Sequence, residues 1–85
     1  MTMKISIDLS LYPLDKNYSG PIRNLLSRLS QYRNVEVRNT PMSTQITGDF
    51  DACMHLLQTE LKHSFSQGQT MVSVIKMVNL DMEDN

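Results

Sequence analysis

The side chains best suited to chemistry in this sequence are polar residues that alternate with apolar ones along two strand-like segments. They are Ser6, Asp8, Ser10, Ser43, Gln45 and Thr47. One carboxylate, one amide and several hydroxyls can recognise both the donors and the acceptors of a polar heterocycle. The alternative is a polar sheet face that contacts another subunit or water, which is common on antiparallel sheets. Asp8 favours the binding interpretation, since aspartate is disfavoured in the middle of a strand.

Six elements of secondary structure are needed to position these residues. Alternation of apolar and polar residues predicts strands over 4–13, 34–39, 42–47 and 70–78, with Gly48 ending the third. Apolar residues at helical spacing predict two helices. The first should begin at a Ser19 cap and end near Tyr32. The second should begin at Asp49 or Asp51 and be closed by Gly68.

The element order βαββαβ predicts an α+β, ferredoxin-like fold, with a four-stranded antiparallel sheet and two helices on one face. Residues 1–80 would form this single domain, and residues 81–85 would form an acidic, frayed tail. The first and third strands are neighbours at the centre of such a sheet. Their polar side chains should therefore share the helix-free face, while Thr44 and Ile46 point toward the helices.

Composition narrows the classes of partner. The chain has 85 residues, one cysteine and a net charge of −1, with its basic residues scattered. This pattern argues against nucleic acid as a partner and against an internal disulfide framework. No segment has the roughly 20 apolar residues of a membrane span, and the N-terminus lacks the apolar run of a signal peptide, so we expect a cytoplasmic protein. So small a domain is marginally stable alone, which predicts a homodimer or a higher homo-oligomer.

The remaining reactive residues do not form a recognisable catalytic or metal site. His55 and His63 would lie about 12 Å apart along the second helix, too far to share a metal ion, and we assign Cys53 to the core. Nucleophile-elbow, P-loop, C-x-x-C and zinc-protease motifs do not occur. We therefore predict a protein that is not an enzyme and that has no cofactor and no metal site.

Three segments resemble the YkoF-type thiamine- and hydroxymethylpyrimidine-binding family: Ile5–Leu14 (ISIDLSLYPL), Pro41–Gln45 (PMSTQ) and Val74–Met77 (VIKM). The first two are the more specific, because S-L-Y-P after an alternating strand and P-M-S-T-Q after a hairpin turn are not general requirements of the fold. The resemblance covers nearly the whole chain. It implies a ferredoxin-like domain without catalysis that binds thiamine or its pyrimidine half in uptake or salvage of vitamin B1.

For such a ligand we predict contacts from Asp8, Ser10, Tyr12, Ser43, Thr44 and Gln45. Asp8 would accept a hydrogen bond from the exocyclic amine or offset the thiazolium charge, and Tyr12 would stack on that cation. Ser10, with Thr44 or Gln45, would supply directional hydrogen bonds. The expected inward direction of Thr44 leaves open a pocket between sheet and helices. The best-known form of the family carries two domains in tandem, so a second copy of this chain would have to supply the pairing.

Two other functional classes fit the same residues. A dimeric regulatory or interaction module would use the polar face only for contact and would not bind a pyrimidine. A cofactor-free enzyme would need a titratable group of perturbed pKa in a dry cleft, for which Asp8 is the one good candidate.

Overall fold

The computed structural model describes residues 3–82 and contains six elements in the expected order. They are β1 (Lys4–Pro13), α1 (Ser19–Leu29), β2 (Val35–Asn39), β3 (Thr44–Asp49), α2 (Phe50–Phe65) and β4 (Met71–Val78). The predicted α+β ferredoxin-like fold is confirmed. Across the described residues neither helix has the length and hydropathy needed to cross a bilayer.

The four strands form one antiparallel sheet in the order β2-β3-β1-β4. Strand β1 is central and pairs with β3 on one side and β4 on the other. Ile7 is opposite Ile46 in β3 and Met77 in β4. The sequence places the first and third strands together at the centre, and the structure confirms this pairing.

The core lies between this sheet and the two helices, as the alternation in β1 predicts. It contains ten buried residues: Ile5, Ile7, Leu9, Leu11, Leu25, Leu29, Ile46, Cys53, Leu56 and Leu57. All four odd positions of β1 from 5 to 11 are buried, whereas Tyr12 is exposed. The odd-numbered residues of the central strand therefore pack in the core, and its even-numbered residues lie on the helix-free face.

Several predicted element boundaries were wrong by a few residues. Gly48 does not end β3 but lies inside it, opposite Ile5 and Val35, where a Cβ atom would approach Val35 Cγ1 to 3.0 Å. Ser19 is the first residue of α1 and not its cap, and its hydroxyl accepts a hydrogen bond from Arg23 Nη2. Helix α2 is capped at Ser66, so Gly68, with φ of +88°, follows the cap by two positions.

Helix α1 ends at Leu29, but two i→i+3 backbone bonds carry the chain on to Tyr32, the predicted end. The phenol of Tyr32 donates to Glu60 Oε2 on α2 at 2.7 Å, and Arg28 Nε donates to Oε1 at 2.5 Å. Glu60 is only 3% exposed. Its buried carboxylate thus ties the end of α1 to α2.

The two hydrogen bonds determine how this cluster titrates. Burial alone would raise the pKa of Glu60, but the bonds from Arg28 and Tyr32 and the Arg28 charge together lower it below its ordinary value. Burial and the bond to Glu60 raise the pKa of Tyr32 to about 12. Because the pKa of Glu60 falls on folding, its contribution to stability is complete above the ordinary value of 4.5 and is lost as the pH drops below it.

We expect Glu60→Gln to lower the free energy of unfolding at neutral pH by about 1–3 kcal/mol, because Arg28 and Tyr32 lose a charged acceptor. The difference from the parent chain should shrink as the pH falls below 4.5. Urea unfolding over a pH series measures both quantities. Glu36→Gln, on an exposed position of β2, is the matched control and should leave the pH dependence unchanged.

Candidate functional site

Asp8 lies at the middle of the helix-free face of the sheet. It is directly opposite Gln45 in β3 and Lys76 in β4. Directly opposed residues in antiparallel strands have Cβ atoms about 4.5–5.5 Å apart and share one face. The fold therefore places a carboxylate between an amide and an ammonium group.

The β2–β3 hairpin places Ser43 against this carboxylate. Thr40 accepts hydrogen bonds from the backbone N–H groups of Met42 and Ser43, at 3.2 and 3.0 Å, and its own hydroxyl donates to the Ser43 carbonyl. The Ser43 hydroxyl in turn donates to Asp8 Oδ1. One carboxylate oxygen is thus fixed by the turn, and the other retains its capacity to accept.

Ser6, two residues before Asp8 on the same face, is the centre of a buried hydrogen-bond network. Its hydroxyl donates to the Leu80 carbonyl at 2.7 Å and accepts from the Met82 backbone N–H at 3.0 Å. Its oxygen also lies 3.1 Å from Thr47 Oγ1. Because the single Ser6 proton goes to Leu80, the proton between the two hydroxyls comes from Thr47. Thr47 is left with acceptor capacity, whereas Ser6 has none.

This network gives the C-terminal segment a structure that we did not predict. Residues 81–85 were expected to be frayed, but Met82 is held across Ser6. The rest of the predicted tail, residues 83–85, lies outside the described residues.

A cavity of about 150 Å³ opens on this face. Its polar lining comes from Ser6, Asp8, Gln45, Thr47 and Lys76. Val78 and Met82 supply apolar side chains, and Ile7 and Met77, whose side chains lie on the other face of the sheet, border the cavity through their backbone. Ligand pockets usually combine apolar walls with a few convergent polar groups, and this cavity has that character. Its volume suits a single ring, since pockets for larger ligands are about 300–1,000 Å³.

The structure gathers only part of the predicted contact set. Asp8 and Gln45 line the cavity, and Ser43 reaches it through its bond to Asp8. Ser10 and Tyr12 share the same face but lie farther along β1, opposite Val74 and Val72. Tyr12 is four residues from Asp8, or about 13 Å at the rise of a strand.

Thr44 is on the other face of the sheet. It is opposite Leu9, is buried, and donates a hydrogen bond to Asn39 Oδ1 at 3.2 Å. The inward direction expected from the strand alternation is confirmed. Thr44 therefore does not share a surface with Asp8.

Seven cavity residues were absent from our predicted contacts, although two of them, Ser6 and Thr47, belonged to the predicted polar face. Three of the others add side chains to that face: Lys76, Val78 and Met82. The first two could have been found, because β4 lies beside β1 in this topology and even positions of both strands share a face. Met82 could not, since nothing in its local sequence shows that the chain crosses β1 after β4 ends.

The reactive residues outside this face, Cys53 and His55, lie on α2 and not at the cavity. Cys53 is fully buried, as predicted for a core residue, and burial raises the pKa of its thiol, with a further contribution from the Asp49 charge. His55 is exposed on α2. We therefore take the cavity beside Asp8 as the candidate site.

Comparison with solved structures supports the fold. Protein SP2199 from Streptococcus pneumoniae has a TM-score of 0.85 at 24% identity, over 96% of this chain and 92% of that one. TM0486 from Thermotoga maritima, described as a "putative thiamine biosynthesis/salvage protein", has a TM-score of 0.82 at 13% identity, over 94% and 91%. A domain of unknown function, DUF77, from Bacillus cereus has a TM-score of 0.77 at 15% identity, over 96% and 81%. No protein-family model and no curated protein sequence matches the chain.

We expect Ser6→Ala to lower the free energy of unfolding by about 1–3 kcal/mol, because Leu80, Met82 and Thr47 each lose a buried hydrogen-bond partner. Amide exchange at Met82 should accelerate more than exchange in β1. Hydrogen exchange followed by NMR measures both rates. Ser30→Ala, which removes an exposed hydroxyl that donates to the Ser27 carbonyl, should change neither quantity appreciably.

Proposed function

We propose that this protein binds a neutral aminopyrimidine, the hydroxymethylpyrimidine half of thiamine, without transforming it, as a homo-oligomer that serves vitamin B1 uptake or salvage in the cytoplasm. The observation that carries the proposal is the Asp8 carboxylate, held by Ser43 and flanked by Gln45 and Lys76 at the edge of a small, partly apolar cavity.

An aminopyrimidine presents an exocyclic amine that donates hydrogen bonds beside ring nitrogens that accept them. The second carboxylate oxygen of Asp8 and the Thr47 hydroxyl oxygen can accept from the amine. The Gln45 amide or the Lys76 ammonium can donate to a ring nitrogen. Met82 and Val78 supply apolar contact for the methyl group and the ring face.

Charge and size favour this half of the vitamin over the whole. Lys76 faces Asp8 across the strands, so the site has one charge of each sign and no net preference for the thiazolium cation. Asp8 also disfavours a phosphate beside Lys76. The cavity volume of about 150 Å³ accommodates one ring, and Tyr12, which we predicted to stack on the thiazolium, lies at a distance that only an extended ligand would span.

Two independent similarities point the same way. The segments around Asp8 and Ser43 resemble the YkoF-type family, and one structural neighbour, TM0486, is described in connection with thiamine biosynthesis or salvage. At 13% identity that neighbour supports the fold.

The second candidate is an interaction module of the same fold that binds no small molecule. The observation in its favour is the exposed apolar strand β4, which carries Val72, Val74 and Val78 on the same face as the cavity. Ligand titration separates the two functions.

The test is a calorimetric titration of the full chain with hydroxymethylpyrimidine and with thiamine. We expect micromolar or tighter binding of hydroxymethylpyrimidine and weaker binding of thiamine. Asp8→Asn should weaken the first by about tenfold or more, since a hydrogen bond to a charged acceptor contributes about 1.5–3 kcal/mol. Asp15→Asn, the same change in an exposed loop, is the control and should retain parental affinity.

An analogue without the exocyclic amine should bind the parent chain no better than hydroxymethylpyrimidine binds Asp8→Asn. NMR of the recovered ligand should show it unchanged, and its conversion to a product would favour the enzyme alternative. Absence of heat with either ligand, from a folded chain, would reject the binding proposal in favour of the interaction module.

A further inference from the structure

A second cavity, of about 220 Å³, lies at the end of the sheet where β1 leaves it and β4 begins. Its walls come from the loop between β1 and α1, the first turns of α1, the end of α2 and the loop that precedes β4. The two loops are joined by a 3.0 Å hydrogen bond from the Leu14 N–H to the Thr70 carbonyl. Among the described residues, none lines both this cavity and the cavity beside Asp8.

Carboxamide side chains dominate the lining of this second cavity. Four of them surround one hydroxyl: Asn17, Asn24, Gln67, Gln69 and Ser64. None of the described lining residues carries a charge. A carboxamide both donates and accepts hydrogen bonds. The cavity therefore suits a ligand that has no net charge and that itself carries both donors and acceptors.

The existing hydrogen bonds determine what two of the carboxamides can still offer. Gln67 Nε2 donates to the His63 carbonyl at 3.0 Å and to Ser66 Oγ at 3.4 Å, which uses both of its protons. Its oxygen remains as an acceptor. The Asn17 carboxamide packs over the first turn of α1, since a Cβ atom at Gly20 would lie 3.2 Å from Asn17 Oδ1.

Gln69 carries an acceptor that the protein leaves unpaired. Its Oε1 is shielded from solvent and has no hydrogen-bond partner among the described residues. Its Nε2 donates to the Asn17 carbonyl at 3.4 Å, which is longer than most N–H···O bonds. Buried polar groups are almost always paired, because an unpaired acceptor costs free energy. The weak bond to Asn17 allows the carboxamide to turn toward the cavity, where a ligand donor would remove that cost.

We propose that this second cavity binds a small, uncharged polyol of up to monosaccharide size. A hydroxyl group donates one hydrogen bond and accepts others, so neighbouring hydroxyls of one ligand can donate to the oxygens of Gln67 and Gln69 and accept from the amide of Asn17. A cavity of about 220 Å³ limits the ligand to one sugar ring or a short polyol, since pockets for larger ligands are about 300–1,000 Å³. This site is independent of the function proposed for Asp8.

The lining chemistry disfavours the charged alternatives. A bound Ca²⁺ or Mg²⁺ ion usually has carboxylate ligands, and a bound anion usually pairs with arginine or lysine. Neither kind of side chain is among the described lining residues. A neutral polyol needs no counter-charge.

The test is an NMR titration of the isotope-labelled full chain with glycerol, D-ribose and D-glucose, following the side-chain NH₂ resonances. We expect at least one of these probes to cause saturable shifts at Asn17, Gln67 and Gln69, with millimolar or tighter affinity. Glucosamine and glucuronate, which add one charge of either sign, should bind more weakly than D-glucose. Shifts that grow linearly with every probe would overturn the proposal, because the cavity would then hold water alone.

Gln69→Met separates a binding role from a structural one. The variant keeps the length of the side chain and removes both polar atoms, so polyol affinity should fall by about tenfold or more. Its thermal midpoint without ligand should be no lower than that of the parent, because the unpaired acceptor is lost together with a weak bond. Gln31→Met, at an exposed position after α1, is the matched control and should retain parental affinity.

Asn24→Leu, at an exposed position of α1, keeps the proposal testable if Gln69→Met lowers the thermal midpoint. It should also weaken polyol binding, and parental affinity in that variant would then overturn the proposal. Saturable shifts that both variants leave unchanged, or a preference for glucuronate or glucosamine, would do so as well. Asp8→Asn should leave polyol binding unchanged, and Gln69→Met should leave hydroxymethylpyrimidine binding unchanged. Failure at one site is therefore distinguishable from failure at the other.

Discussion

The structure depends on one constraint, which is that β1 is the central strand and is paired on both sides. A strand in that position has a fixed register, and its alternation assigns every odd residue to one face and every even residue to the other. Ile5, Ile7 and Leu9 therefore enter the core, while Ser6 and Asp8 reach the helix-free face. A slip of one residue would bury the carboxylate and expose the isoleucines. The chemistry of the site and the stability of the core are consequences of the same register.

The polar face is ordered by hydrogen bonds from segments outside β1. Thr40 shapes the turn that holds Ser43 against Asp8, and Ser6 holds the chain at Leu80 and Met82 across the start of the strand. Groups fixed in this way do not have to be immobilised when a ligand binds, which reduces the entropic cost of recognition. The most extensively bonded hydroxyl, that of Ser6, is structural, and Asp8 beside it retains acceptor capacity. The Ser6 hydroxyl thus stabilises the fold, whereas the Asp8 carboxylate can still accept a hydrogen bond from a ligand.

Local sequence pattern predicted the elements and the direction of their side chains, because alternation and helical spacing are set by backbone geometry. It could therefore place Asp8 and Gln45 on one face and Thr44 on the other. Pattern could not predict the exact helix ends, since the Ser19 hydroxyl contacts Arg23 and not a backbone donor. It also missed Met82, whose position depends on a tertiary hydrogen bond from a segment without regular structure. Within the site, side chains on strands could be predicted from the sequence, whereas side chains from segments without regular secondary structure could not.

The exposure of β4 on both of its faces results from where the helices pack. The two helices pack mainly on β1 and β3, which leaves β4 with exposed apolar residues on both faces. If those residues served no contact, polar substitutions there would cost little and would protect the edge, as the charges of β2 do on the opposite side. The two edges are therefore unequal, with charge protecting β2 and exposed apolar residues along β4. The candidate site borders the second of these edges, because Lys76 and Val78 of β4 line its cavity.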